Sequence, residues 1–93
     1  MIVGTCEISL LIRESQSLKD RRRVLNGLKA RLRDRFNISV SEVGSQENWK
    51  RSVLGVATVG STKRFANQVL SKVIQFAESD PRVEILDHRM EIY

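Results

Sequence analysis

The chain contains one cysteine, one proline and one histidine among 93 residues. A lone cysteine, Cys6, excludes an internal disulfide and any cysteine-based metal cluster. His88, on the last strand pattern, has no neighbouring metal ligand and reads as a partly exposed structural residue, so no metal site is expected. Aromatic residues are scarce, at 5% of the chain. No two carboxylates fall at a spacing suited to acid–base work. No catalytic residue, cofactor or small-molecule substrate is therefore expected. Long apolar runs are missing too: Glu7 interrupts the N-terminal one, and no segment approaches the ~20 residues of a membrane span. A cytoplasmic protein without membrane contact is expected. No linker or low-complexity tract divides the chain, which reads as a single domain over residues 1–93.

What is abundant is positive charge. The stretch from Ser17 to Phe36 holds Lys19, Arg21, Arg22, Arg23, Lys29, Arg31, Arg33 and Arg35, half of the 16 Lys and Arg residues. Residues 13–35 carry nine basic and three acidic side chains, whereas residues 76–93 carry two and five. Such an electrically polar molecule offers a polyanion, a membrane surface or an acidic protein a natural docking side.

The hydropathy pattern gives six elements. Met1–Ile12 reads as a strand with Ile2, Cys6, Ile8, Leu10 and Ile12 on one face and Thr5, Glu7 and Ser9 on the other. Ser17 caps a helix, with Asp20 three residues on completing a capping box. Leu18, Val24, Leu25, Leu28, Leu32 and Phe36 share its apolar face. Arg21 projects from that same face, and either reaches past the sheet edge to solvent or pairs with a carboxylate. Ile38–Val43 and the nearly all-apolar Ser52–Val59 read as a hairpin, the latter strand central. Glu42 falls on the inward parity near the strand end, where it escapes to solvent or meets an arginine such as Arg21. A second helix spans Thr62–Ser79 with Phe65, Ala66, Val69, Leu70, Val73, Phe76 and Ala77 inward. Asp80-Pro81 breaks it, and the charged Val83–Tyr93 reads as an edge strand.

The order βαββαβ, with two helices of similar length, is the α+β ferredoxin-like arrangement: a four-stranded antiparallel sheet with both helices on one face. Two activities known on this topology lack their residues. Base stacking on central strands needs aromatics, and neither central strand has one. A phosphate cradle between the first strand and first helix exploits glycine, and Arg13-Glu14-Ser15-Gln16 has none. The candidate nucleic-acid contacts are instead Lys19, Arg22, Arg23, Lys29 and Arg33 on the helix, as backbone-tracking cations, and Trp49, Lys50 and Arg51 in the hairpin loop. Trp49 either stacks on a base or folds back over the hydrophobic edge. A solvated charged face is the plain alternative for the helix.

The runs SLKDRR at residues 17–22 and RLRDRFNISVSEV at 31–43, followed by LGVA at 54–57, resemble the YlxP-like family, a bacterial domain of unknown function. The resemblance spans essentially the whole chain and implies a ferredoxin-like fold. It also implies a ribosome-linked role, because genes of that family often lie beside those for translation initiation and ribosome maturation. The expectation is an accessory protein contacting ribosomal RNA or a pre-ribosomal particle through the basic helix. The alternative is a homodimeric protein-interaction module using the open sheet face or an edge strand, where Ser9, Ser39 and Ser41 permit close approach.

Overall fold

The computed structural model describes residues 1–13, 15–44 and 50–93. Its elements are β1 (Ile2–Ile12), α1 (Leu18–Arg35), β2 (Ser39–Gly44), β3 (Arg51–Gly60), α2 (Lys63–Glu78) and β4 (Val83–Ile92). The strands form one antiparallel sheet in the order β2-β3-β1-β4. The fold is the ferredoxin-like one that the element pattern predicts, with the apolar β3 and the alternating β1 in the centre.

Alternation along β1 does the sorting. Cys6, Ile8, Leu10 and Ile12 are buried under the helices, and Thr5, Glu7 and Ser9 face away from them. They meet Leu54 and Val56 of β3, Val40 of β2, Leu25, Leu28 and Leu32 of α1, and Leu70, Val73 and Ile74 of α2 in one core. Burial raises the pKa of the Cys6 thiol, which leaves it an inert core group. Gly4 lets α2 press close to β1, since a Cβ there would lie 3.0 Å from Leu70 and 3.2 Å from Ala66.

Both helices begin on side-chain caps. Ser17 accepts from the Asp20 amide at 3.1 Å and Thr62 from the Phe65 amide at 3.1 Å, each relieving an orphan donor of the first turn. Asp20 returns its carboxylate to the Gln16 amide, at 3.3 Å, instead of to the Ser17 amide of a strict capping box. Leu18 and Phe65 depart from expectation: both are exposed. Each sits in the first turn of its helix, where the periodic face has not yet reached the sheet, and Phe65 instead lies against the backbone of Gly60. Ile74 departs the other way and is buried.

The two sheet edges are blunted differently. On β2, Arg33 donates to the Val40 carbonyl at 2.9 Å. On β4 the register shifts opposite Ser9 and Leu10, around Leu86, and the exposed residues include Glu84, Asp87, His88, Arg89 and Glu91. A bulge, charges and a covered carbonyl all discourage pairing with another strand.

Candidate nucleic-acid interface

Helix α1 decides where the charge goes. At about 100° per residue, Leu25, Leu28 and Leu32 point into the core and the basic side chains divide among the remaining directions. Some are used internally. Arg21 forms a bidentate pair with Glu42, whose carboxylate also accepts from Ser52 Oγ at 2.5 Å, and Arg21 donates as well to the Arg51 carbonyl at 3.1 Å. The apolar-face arginine and the inward glutamate thus take each other as partners, with Arg21 Nε left buried and without a hydrogen bond among the described residues. Burial pushes the Glu42 carboxyl pKa up, but the hydrogen bonds from Arg21 and Ser52 outweigh it, and the net shift is downward. Arg31 pairs with Asp80 at 2.5 Å. The Arg35 guanidinium lies 5.2 Å from the Phe76 ring centre, a cation–π contact beside the edge-to-face pair of Phe36 and Phe76.

Lys19, Arg22, Arg23 and Lys29 have no hydrogen bond or ion pair among the described residues. Lys19, Arg22 and Arg23 are exposed and Lys29 is half-buried, near enough to Glu42 to lower that group's pKa. Arg33 is exposed but commits one nitrogen to the β2 edge. Its spacing from Arg22 and Lys29, eleven and four residues, puts all three on the β2 flank of the helix.

The loop candidates separate. Trp49 lies outside the described residues. The Lys50 carbonyl accepts from the Ile12 amide at 2.6 Å, which fixes Lys50 at the end of β1. Lys50 itself lies in the turn before β3 and is exposed. Arg51, opposite Leu11, takes the parity of the open face. Arg51 therefore does not share the helix side with α1.

Two features were missed from sequence. The first is α2, whose exposed Lys63, Arg64 and Lys72 extend the positive surface across the second helix. The signal is in the sequence as three cations on the polar positions of α2, more thinly spaced than those of α1. The second is Asp80, read only as a helix breaker. It is buried and held by two arginines: Arg82 donates through Nε at 3.1 Å and Nη2 at 2.9 Å, and Arg31 joins from α1. The hydrogen bonds from Arg82 hold the Asp80 carboxyl at about 2.

Carboxylates collect elsewhere. On the open sheet face Glu7 meets Arg89 at 3.6 Å, Arg89 also meets Glu91, and Glu84 meets Arg13 at 3.0 Å. Among the described residues no cluster of three or more His, Cys, Asp or Glu could hold a metal ion, and no helix is long and apolar enough to cross a membrane.

The family profile described as "Protein of unknown function (DUF503)" matches residues 3–90. The chain belongs to the DUF503 family. A relative in it, "Uncharacterized protein YlxP" of Bacillus subtilis (strain 168), is 35% identical over 83 residues, covering 89% of this chain and 90% of the relative. The YlxP-like resemblance read from the motif string is thereby established. Among solved structures, the de novo designed protein Foldit4 is similar over 98% of this chain and 97% of its own, with a TM-score of 0.57 and 14% identity. The designed protein LFR1 1 with ferredoxin fold is similar over 98% of this chain and 86% of its own, at 0.52 and 11%. SnoaB, a cofactor-independent oxygenase from Streptomyces nogalater, aligns over 98% of this chain and 90% of its own, at 0.54 and 6%. At such identities these likenesses speak for the DUF503 fold alone.

Proposed function

We propose that this DUF503 protein binds RNA through the outer surface of its two helices, as an accessory factor of ribosomal RNA or a pre-ribosomal particle. The observation that carries the reading is the segregation of charge. Lys19, Arg22 and Arg23 on α1 and Lys63, Arg64 and Lys72 on α2 have no carboxylate partner among the described residues, and Lys29 acts on Glu42 only at a distance, while Glu7, Glu84, Asp87 and Glu91 sit on the open sheet face and the β4 strand. Asp20, Asp34 and Glu78 are the acidic exceptions on the helices. The helix side attracts a polyanion and the open face, where Arg13, Arg51 and Arg89 offset most of the carboxylates, does not, which orients the encounter. Helical cations reach phosphates without reading bases, so affinity is salt-dependent and weakly sequence-selective. Changing Lys19, Arg22 and Arg23 together to Glu abolishes binding of small-subunit ribosomal RNA in anisotropy titrations, with a melting temperature within a few degrees of wild type, because none of the three makes an internal bond. Wild-type affinity in that variant contradicts the reading.

A second reading rests on the open sheet face. Val43, Val59 and Tyr93 there are 58%, 55% and 64% exposed, around a shallow concavity of 330 Å³ lined by Thr5, Ser39, Ser41, Gly55 and Ala57. With both edges blunted, the face is the surface left for self-association. The molecule's two longer extents, 42 and 23 Å, frame a face comparable with the ~800 Å² per partner of a standard interface. This supports a homodimer, which leaves the helices free for RNA. Sedimentation equilibrium at high micromolar concentration decides it: a dimer is expected, and Val59→Lys converts it to a monomer.

A further inference from the structure

The turn after α2 and the middle of α1 meet in an arrangement with more positive charge than its buried carboxylate balances. Asp80 is 7% exposed in its side chain and lies between Arg31 and Arg82, which are 44% and 41% exposed. Oδ1 accepts from Arg82 Nε and from the Arg82 amide, and Oδ2 accepts from Arg82 Nη2 and Arg31 Nη2. Arg82 therefore uses its Nε–Nη2 edge and Arg31 its Nη2 alone. The Nη1 groups have no partner among the described residues. One carboxylate offsets one of two cations, and a single positive charge is left at the surface.

Both guanidiniums converge on Gly27. A Cβ built there would lie 3.4 Å from Arg31 Nη1 and 3.8 Å from Arg82 Nη1 and Nη2. Those distances are ordinary contacts with the tips of flexible side chains, so packing does not demand glycine at this position. Glycine in a helix interior is nonetheless unfavourable relative to alanine. The bare Cα leaves both guanidinium tips beside the helix backbone with no side chain between them. Beside it opens a groove of 310 Å³ lined also by Phe76, Ser79 and Pro81.

We propose that the outer Nη1 groups of Arg31 and Arg82, meeting over the bare Cα of Gly27, form a binding site for one phosphoryl oxyanion. Guanidinium forks suit phosphate geometry and bind it by charge-assisted hydrogen bonds. Asp80 is the positioning residue: it holds Arg82 by the Nε–Nη2 edge and Arg31 by Nη2, so less ordering is left when the anion arrives. The bound anion balances the surplus charge. The site lies on the α2 flank of α1, away from the Arg22, Lys29 and Arg33 stripe, and does not depend on the RNA reading.

The test is a titration of inorganic phosphate, and separately of dimethyl phosphate, into nitrogen-15-labelled protein. The arginine Nε–Hε signals and the Gly27 amide are followed by NMR at constant ionic strength. Saturable shifts of Arg31, Arg82 and Gly27, with Arg64 and Arg89 unmoved, are expected. Saturation by dimethyl phosphate as well as inorganic phosphate assigns the site to a nucleic-acid backbone phosphate; saturation by inorganic phosphate alone assigns it to a free phosphate or a phosphomonoester. The decisive variant is Gly27→Ala, whose methyl group occupies the space between the donors. It melts higher than wild type because the helix gains, yet binds phosphate about tenfold more weakly, the loss of one good hydrogen bond. Uniform shifts of every surface arginine, no saturation, or unchanged affinity in Gly27→Ala overturns the proposal. The Lys19, Arg22, Arg23 to Glu variant keeps its phosphate shifts, so failure of the RNA reading and failure of this site are seen separately.

Discussion

The two flanks of α1 solve the same problem in opposite ways. On the β2 flank, Arg21 and Glu42 form a bidentate pair, tied to Ser52 and the Arg51 carbonyl, with Lys29 near enough to add to the field at the carboxylate. Arg21 is 11% exposed in its side chain, and the pair works inward, locking the start of β3 and the end of β2 to the helix. On the α2 flank, two half-exposed arginines share Asp80. There the carboxylate is buried and the cations face out. A pair whose arginine is turned inward holds a fold together, while one with half-exposed arginines also presents charge.

Mutations that break each network sharpen that contrast. The largest effect is expected from Arg21→Ala, which strands Glu42 on the helix side of the sheet. Loss of a partly buried pair that also bonds the backbone costs about 3 kcal/mol in urea denaturation. Phosphate binding over Gly27 is unaffected. A loss under about 1 kcal/mol would place Arg21 with ordinary surface pairs.

Asp80→Asn comes next, and its effect depends on pH. The Asp80 carboxyl is depressed from 3.8 to about 2 in the fold. A depressed carboxyl contributes stability that is complete above its ordinary pKa and is lost as pH falls through the folded one. Linkage over that interval is worth about 2 kcal/mol. Wild type is therefore more stable than Asp80→Asn at pH 7, and the two curves converge as pH falls from about 4 to 2. A pH-independent difference would mean that the carboxamide fails for packing reasons instead. The smallest effect belongs to Arg31→Gln. Its guanidinium is 44% exposed and Asp80 keeps Arg82, so stability falls by less than about 1 kcal/mol, whereas phosphate affinity over Gly27 drops.

Much of the fold was legible because its causes are local. Period-two alternation in β1, the caps at Ser17 and Thr62, and the break at Asp80-Pro81 each need only a few neighbouring residues. The Arg21–Glu42 pair was half-legible: both sat on an inward face with charge to satisfy, but choosing between solvent and partner required the strands' register. The Arg31–Asp80–Arg82 cluster was not legible, because Arg31 lies 49 residues from Asp80 and only the closing of α2 onto α1 brings them together. Leu18 and Phe65 misled for a related reason: periodicity reports the direction of a side chain and not whether the sheet extends beneath it.

The candidate interface was legible on α1, where charge is dense, and incomplete on α2, where the same surface continues with fewer cations. The placing of Arg51 on the open face needed register as well, since adjacent strand residues face opposite sides.

Amide shift mapping on the labelled protein with a small-subunit ribosomal RNA fragment, at physiological salt, tests the central claim most directly. Shifts concentrated at Lys19, Arg22, Arg23, Lys29, Arg64 and Lys72, with the open-face residues Thr5, Glu7, Ser41 and Glu91 still, are the predicted result. Shifts centred on the open sheet face, or none until the salt is lowered, would contradict it.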